Sequence, residues 1–340
     1  MDWFFIVESV VKAAILSITL ITGFAYVTLF ERRLLARMQT RIGPNRVGPM
    51  GLLQPVADGI KLIFKEELIP RQADRTLFIL APVITVIPAL IILAVIPFGP
   101  ELSLFGRTVE QSIAADINVG VLYLLAVSSI AVYGVTLAGW SSGNKYALLG
   151  GLRAAAQMVS YELALGLAFV VPILLAGSLS LREIVDAQQG FANWFIWKPP
   201  VGILGFLILL ISSLAEINRA PFDLPEAEQE LVAGYHTEYS GMKFALFFMA
   251  EYIKMIVISA IAASLFLGGF WGPFVDQIPI LGPLYLFIKI LAFLFFIVWL
   301  RATLPRIRYD RLMDMGWKIL LPLALFTVAL TAVYVVLVGG

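Results

Sequence analysis

Eight stretches of this chain, at about 3–30, 76–98, 117–139, 150–176, 201–217, 244–268, 283–301 and 317–338, are apolar over a length suited to crossing a bilayer as a helix. No other feature restricts the fold so strongly. Hydrocarbon offers no partner for backbone N–H and C=O groups, and a helix satisfies them within its own segment. Composition agrees: 60% of the 340 residues are hydrophobic and only 14% charged, well outside the range of soluble domains. The expected fold is an all-α integral membrane protein with about eight transmembrane helices, forming a single polytopic domain over 1–340 without internal repeat. The first stretch has no basic leader and no small-residue cleavage site, so it is expected to remain as an uncleaved anchor.

Lys and Arg set the expected orientation. Counted with the adjoining helix ends, the odd-numbered loops hold 18 of these residues and the even-numbered loops hold 3. Positive loops stay in the cytoplasm, which places both termini on the outer, periplasmic side. A net charge of +1 gives no sign of nucleic-acid binding. The chain has no cysteine, so it offers no disulfide, no thiolate-held cluster and no attachment point for a covalent haem. One histidine, His236, rules out bis-histidine haem ligation, and no metal site is expected. Neither a dinucleotide fingerprint nor a P-loop string occurs. Any redox chemistry therefore needs carriers on other chains.

Two cytoplasmic loops are unusual. The first contains Gly43-Pro44 and Gly48-Pro49, which require tight turns, and then a stretch at about 52–67 with Leu52, Val56, Ile60, Ile63 and Phe64 on one helical stripe. That helix either lies in the membrane interface or packs on a partner's soluble face; both keep it at the cytoplasmic surface. The other loop, at about 216–241, carries Glu216, Asp223, Glu226, Glu228, Glu230 and Glu238 against Arg219 alone before Lys243. Asp223 is placed to cap a short helix, with Pro225 in its first turn, Glu226 as capping-box partner and Gly234 as its stop. Crowded carboxylates raise one another's pKa where water is scarce. A solvated acidic loop is the plain reading; its place at the mouth of the fifth and sixth spans favours a site. The outer loops, with Arg182, Glu183, Asp186 and the interfacial aromatics Phe191, Trp194 and Trp197, are assigned no chemistry.

Six ionisable residues fall inside the spans: Glu8, Lys12, Glu162, Glu251, Lys254 and Lys289. Such residues face protein or water and usually pair. Glu8 with Lys12, and Glu251 with Lys254, stand at pairing distance on one helix. Glu162 has no basic neighbour on its own helix nearer than Arg153. Glu162, Glu216 and Glu251, on three successive helices, read as a proton path. In the seventh loop Arg301, Arg306, Arg308 and Arg311 serve either topology or charge compensation.

The strings RIGPNRVGPMGLLQPVADGIKLIFKE, EINRAPFDLPEAEQELVAGYHTEYSGMKFALFFMAEY and WLRATLPRIRYDRLMDMGWK carry a family resemblance. With them, and over essentially its whole length, the chain resembles the H-subunit family of proton-pumping NADH:quinone oxidoreductase, respiratory complex I, whose mitochondrial counterpart is NADH dehydrogenase subunit 1. The resemblance implies an eight-span bundle that docks the peripheral arm and forms the membrane side of a quinone chamber. It implies quinone as substrate, ubiquinone or menaquinone, with FMN and iron–sulfur clusters on partner subunits and no catalytic residue in this chain. Implied partners are the peripheral subunits with the terminal cluster and quinone-head site, small membrane subunits and antiporter-like subunits, in a bacterial inner membrane. Glu162, Glu216 and Glu251 match buried glutamates between chamber and proton channels, and Asp223, Glu226 and Glu228 match the acidic loop. Arg301 and Arg306 match arginines beside the chamber, and Arg33, Arg37 and Arg46 those at its entrance; Phe222 joins them as a chamber candidate. A related membrane protein of energy-converting hydrogenases shows looser forms of the two long motifs. A stand-alone cation/proton transporter would show inverted repeats or broken helices, and the sequence shows neither.

Overall fold

The computed structural model of the chain describes residues 3–104, 107–109, 111–114, 117–225 and 232–339. Its elements run α1 (Trp3–Met38), α2 (Gln54–Ile63), α3 (Arg75–Ile92), β1 (Leu102–Leu104), β2 (Arg107–Val109), α4 (Gly120–Ser141), α5 (Lys145–Ala176) and α6 (Leu181–Asp186). They continue as α7 (Val201–Glu216), α8 (Gly241–Phe266), α9 (Leu281–Thr303), α10 (Tyr309–Asp314) and α11 (Leu321–Gly339). A π-helical turn, Met315–Leu320, joins α10 to α11 in one continuous span. The strands form a small antiparallel hairpin with Leu102 opposite Val109. The fold is all-helical apart from that hairpin.

Among the described residues seven helices are long and apolar enough to cross a membrane. The eighth expected span, α7, has 16 residues. It rises about 24 Å, short of a hydrocarbon core of about 30 Å. It ends where the chain turns back at Asn218, whose φ of 57° lies in the left-handed region that Asn tolerates. Elsewhere helix outruns hydropathy. α1 continues to Met38 because Arg, Leu, Ala and Met are good helix formers whether or not they are apolar. α5 starts at Lys145, where the Asn144 side chain accepts from the Tyr146 N–H at 2.9 Å. α2 is tighter than the apolar stripe, with Pro55 in its first turn.

Helices α3, α4, α5, α7 and α8 pack into the centre; α1 lies against α8 and α9, and the last span against α5 and α7. Small residues permit the closest approach, as expected where apolar burial alone gives no drive between helices in lipid. A Cβ at Gly139 on α4 would stand 2.6 Å from the Ala147 carbonyl and 2.9 Å from the Gly151 Cα on α5. α2 is tied to α1 by Arg32 and Asp58 at 2.5 Å, while Val56, Ile60 and Ile63 are exposed. The intramembrane Lys289 has a plain structural explanation. Its ammonium donates to the carbonyls of Leu267, Gly269 and Trp271 at 2.7–2.9 Å, and it lies 4.5 Å from the centre of the Trp194 ring. Glu8 and Lys12 pair at 2.7 Å.

Candidate functional site

The turn after α7 brings Arg219 into the bundle, where it meets two carboxylates from distant helices. Its Nη1 lies 3.2 Å from Glu31 of α1, and its Nε lies 2.5 Å from Glu251 of α8. Arg301, at the end of α9, adds a second guanidinium on Glu31. The Tyr252 ring lies 4.5 Å from the Arg219 guanidinium, with its hydroxyl beside Glu31. Arg219 and Glu31 are only 5% and 2% exposed. Burial by itself would lower the pKa of Arg219, but Glu251 and Glu31 reverse this and raise it. The cluster remains short of partners: among the described residues Glu31 Oε2 accepts no hydrogen bond and Arg219 Nη2 donates none.

Glu31 did not stand out in the sequence. It ends the first apolar stretch and opens Glu31-Arg32-Arg33, so it reads as part of a basic loop. Continuing the helix pattern to Met38 would have placed it inside a span.

A second set lies deeper. Glu216, at the end of α7, is flanked by Lys254 of α8 and Glu162 of α5, and the charge that Lys254 feels most strongly is Glu216. Glu162 accepts a hydrogen bond from the Ser129 hydroxyl of α4. Glu216 and Lys254 line a cavity of about 20 Å³ with Ser128 and Ser213, room for one water. The three glutamates expected in one string are thus divided. Glu251 has its ion pair with Arg219, while Lys254 stands among all three glutamates, nearest in effect to Glu216, then Glu251, then Glu162.

The acidic turn continues the arginine network. Asp223 meets Arg306 at 3.0 Å, and the Ile307 N–H donates to the Pro221 carbonyl at 3.1 Å. Burial raises the Asp223 pKa, against the pull of Arg306 and the more distant Arg301 and Arg219. Phe222 is buried, its ring 5.7 Å from that of Tyr161, whose hydroxyl donates to the Leu312 carbonyl at 2.9 Å. Glu226, Glu228 and Glu230, with most of the helix expected there, lie outside the described residues. Arg33 donates to the Met50 carbonyl and fastens the first loop, while Arg37 and Arg46 are exposed; none of the three joins the buried cluster. His236 sits among the rings of Tyr235, Phe247 and Phe244, where burial pushes its pKa down to about 3.

Two larger spaces flank α1. A cleft of about 300 Å³ lies between α1, α2 and α8, floored by Phe24 and Phe248 and rimmed by Arg32, Asp58 and Lys61. Phe24 and Phe248 both touch Tyr252, with ring centres 6.0 and 4.9 Å apart. Tyr252 therefore stands between the cleft and the Arg219 cluster. On the other side of α1 a cavity of about 770 Å³ runs between α1 and α9, walled by apolar side chains such as Val27, Leu286 and Ile290, with no charged residue.

A membrane bundle with paired charges buried at one end is matched by known proteins over nearly its full length. The NADH dehydrogenase family model covers residues 11–332. The NADH-quinone oxidoreductase H subunit of Thermomicrobium roseum is 55% identical over 339 residues, 97% of each chain. NADH-quinone oxidoreductase subunit 8 of Thermus thermophilus is also 55% identical, over 96% of this chain and 86% of its own. An H subunit of the same enzyme from Geobacter metallireducens is 55% identical over 94% of each. Chance does not produce such agreement across eight apolar helices and three polar loops together. The chain belongs to the H-subunit family of NADH-quinone oxidoreductase, and is a multi-pass membrane component of that multisubunit enzyme complex.

Proposed function

We propose that this protein admits quinone from the bilayer through the cleft between α1, α2 and α8 and turns its reduction into proton movement through the buried carboxylates. The observation that carries the reading is the cleft itself: apolar at its floor, edged by charge, and connected to the Glu31–Arg219–Glu251 cluster by the Tyr252 ring, which lies against Phe24 and Phe248 on one side and Arg219 on the other. A quinone has the matching chemistry, a hydrocarbon tail and a head that takes up protons on reduction. The exposed stripe of α2 suits an interfacial position beside that mouth. The cavity across α1 is largely apolar, with Thr19, Thr22 and Tyr26 as its polar lining residues, and suits hydrocarbon rather than a polar head.

In this reading the odd-numbered loops face the cytoplasm of a bacterial inner membrane, and both termini face out. The cytoplasmic loops meet the peripheral subunits that carry FMN, the iron–sulfur clusters and the quinone-head site. Small membrane subunits and antiporter-like subunits receive the protons. Ubiquinone and menaquinone both fit the cleft's chemistry. Arg33, Arg37 and Arg46 guide the approach, and Arg301, Arg306 and Phe222 form the chamber side of the acidic turn. Reduction alters charge beside Asp223 and the acidic residues that follow it, Glu226 and Glu228. One unit of charge at about 4 Å is worth about 4 kcal/mol at an effective dielectric near 20. That equals about three pKa units, enough to turn a proton acceptor into a donor. The change passes to Glu216 and Glu162 through Lys254, and to Glu251 through Arg219.

The test is Glu216→Gln in assembled complex. Quinone-linked turnover should fall about a hundredfold or more, the usual scale for a lost proton-transfer group. NADH oxidation by an artificial acceptor at the peripheral arm should persist. Undiminished quinone-linked turnover and proton movement would overturn the coupling role.

A further inference from the structure

Gln157, on α5, is fully buried and lies one and a half turns before Glu162. Its Nε2 has three acceptors at the end of α7 and in the turn that follows: the Ala215 carbonyl at 2.8 Å, the Asn218 Oδ1 at 3.1 Å and the Phe222 carbonyl at 2.8 Å. The amide orientation follows from this chemistry, since turning it over would aim the side-chain oxygen at three other oxygens. Its Oε1 is buried and, among the described residues, accepts no hydrogen bond. Apolar packing alone does not call for an amide here; a Leu would fill the space but take the donor away from all three acceptors, so what the amide supplies is its grip on that segment.

What the amide holds is the segment whose charges go three ways. Glu216 faces Lys254 and Glu162, Arg219 faces Glu31 and Glu251, and Asp223 faces Arg306. Ala215 and Phe222, whose carbonyls are gripped, bracket Glu216 and Arg219, and Phe222 directly precedes Asp223. We propose that Gln157 is a positioning residue, a latch by which α5 fixes this turn and so sets Glu216, Arg219 and Asp223 in register with Glu162 on the same helix. This rests on the coupling role proposed above and adds to it the element that keeps the two charge clusters aligned. The ion pairs of Arg219 and Asp223 tie the same turn to α1, α8 and Arg306, and the Gln157 amide ties it to α5, so a change of charge on either side is felt by the segment as a whole.

The experiment compares Gln157→Leu and the isosteric Gln157→Glu in assembled complex, with Glu216→Gln in parallel. Gln157→Leu should lower quinone-linked kcat on the order of tenfold, since a misplacement of about 1 Å in a charge constellation reaches a hundredfold. The KM for a short-tail quinone should stay within about twofold, because the cleft does not include Gln157. In Gln157→Glu the introduced carboxyl can donate only while protonated, and once ionised it repels the three acceptors. Its turnover should therefore gain an alkaline falling limb that the parent lacks, which a packing role would not produce. Parent kcat and pH profile in both variants would overturn the latch while Glu216→Gln still impairs turnover. If Glu216→Gln is silent as well, the coupling role itself fails. Loss of assembly in both variants at every pH would make Gln157 a folding element and equally overturn the proposal.

Discussion

Replacing Arg219 by Gln removes the cation shared by Glu31 and Glu251 while leaving both carboxylates buried. Each contact, taken at about 4 Å between charge centres and an effective dielectric near 20, is worth about 4 kcal/mol. Against the two together stands the cost of desolvating the guanidinium, several kcal/mol, which the substitution recovers. The net loss expected for breaking a buried pair is then about 3–5 kcal/mol. Arg301 still faces Glu31, so the orphaned charge is chiefly that of Glu251. A second substitution, Glu251→Gln, takes that charge away and should restore about 2 kcal/mol as a pairwise interaction term. Unfolding of a membrane complex is not two-state, so the measure is the rate at which detergent-solubilised complex loses intact assembly on heating. With that loss falling on the barrier to disassembly, Arg219→Gln should shorten the half-life by about a hundredfold to several-thousandfold, and the double variant should regain about thirtyfold of it. A half-life within about twofold of the parent would refute the reasoning, as would a double variant worse than both single losses combined.

Two further outcomes follow from the geometry. Gly59 lines the cleft on α2, and a Cβ there would meet nothing within 4 Å, so Gly59→Leu intrudes on the space without displacing the helix. Steady-state assays should show KM for a long-tail quinone rising several-fold with artificial-acceptor activity unchanged; an unchanged KM would argue against this route. His236 has a folded-state pKa of about 3 against an ordinary 6.5. The folded form therefore forgoes a proton that the unfolded form binds, and stability is lost as pH falls from about 6.5 to about 3. At full extent that window is worth about 5 kcal/mol. His236→Phe, among rings already aromatic, should move acid-induced loss of complex to lower pH, followed by tyrosine and tryptophan fluorescence; an unmoved acid limb would exclude His236 as its cause.

Much of this protein is decided locally and is therefore visible in the one-dimensional chain. A segment of about 20 apolar residues has to satisfy its backbone internally whatever its neighbours, so helices and their order follow from hydropathy. Pro55 at a first turn and Asn144 at a cap likewise act within a few residues. The same locality explains the errors at helix ends. Hydropathy registers where charge begins, whereas the helix of α1 runs on through Glu31 and the arginines to Met38.

The site divides along the same line. That intramembrane carboxylates exist at Glu162, Glu216 and Glu251 is written in the residues, and so is their need for partners. Which partners they take is not. Glu31 and Arg219 are 188 residues apart and Glu31 and Arg301 are 270 apart, and nothing near either residue encodes the other. Spacing suggested Glu251 with Lys254, both on α8, because only same-helix neighbours can be counted from sequence. Packing α1, α8 and the turn after α7 around one guanidinium gave Glu251 its ion pair with Arg219 and made Glu216 the carboxylate that acts most strongly on Lys254. Charge pairing in a dry interior depends on distances of a few ångströms, and only the packed tertiary structure sets those distances.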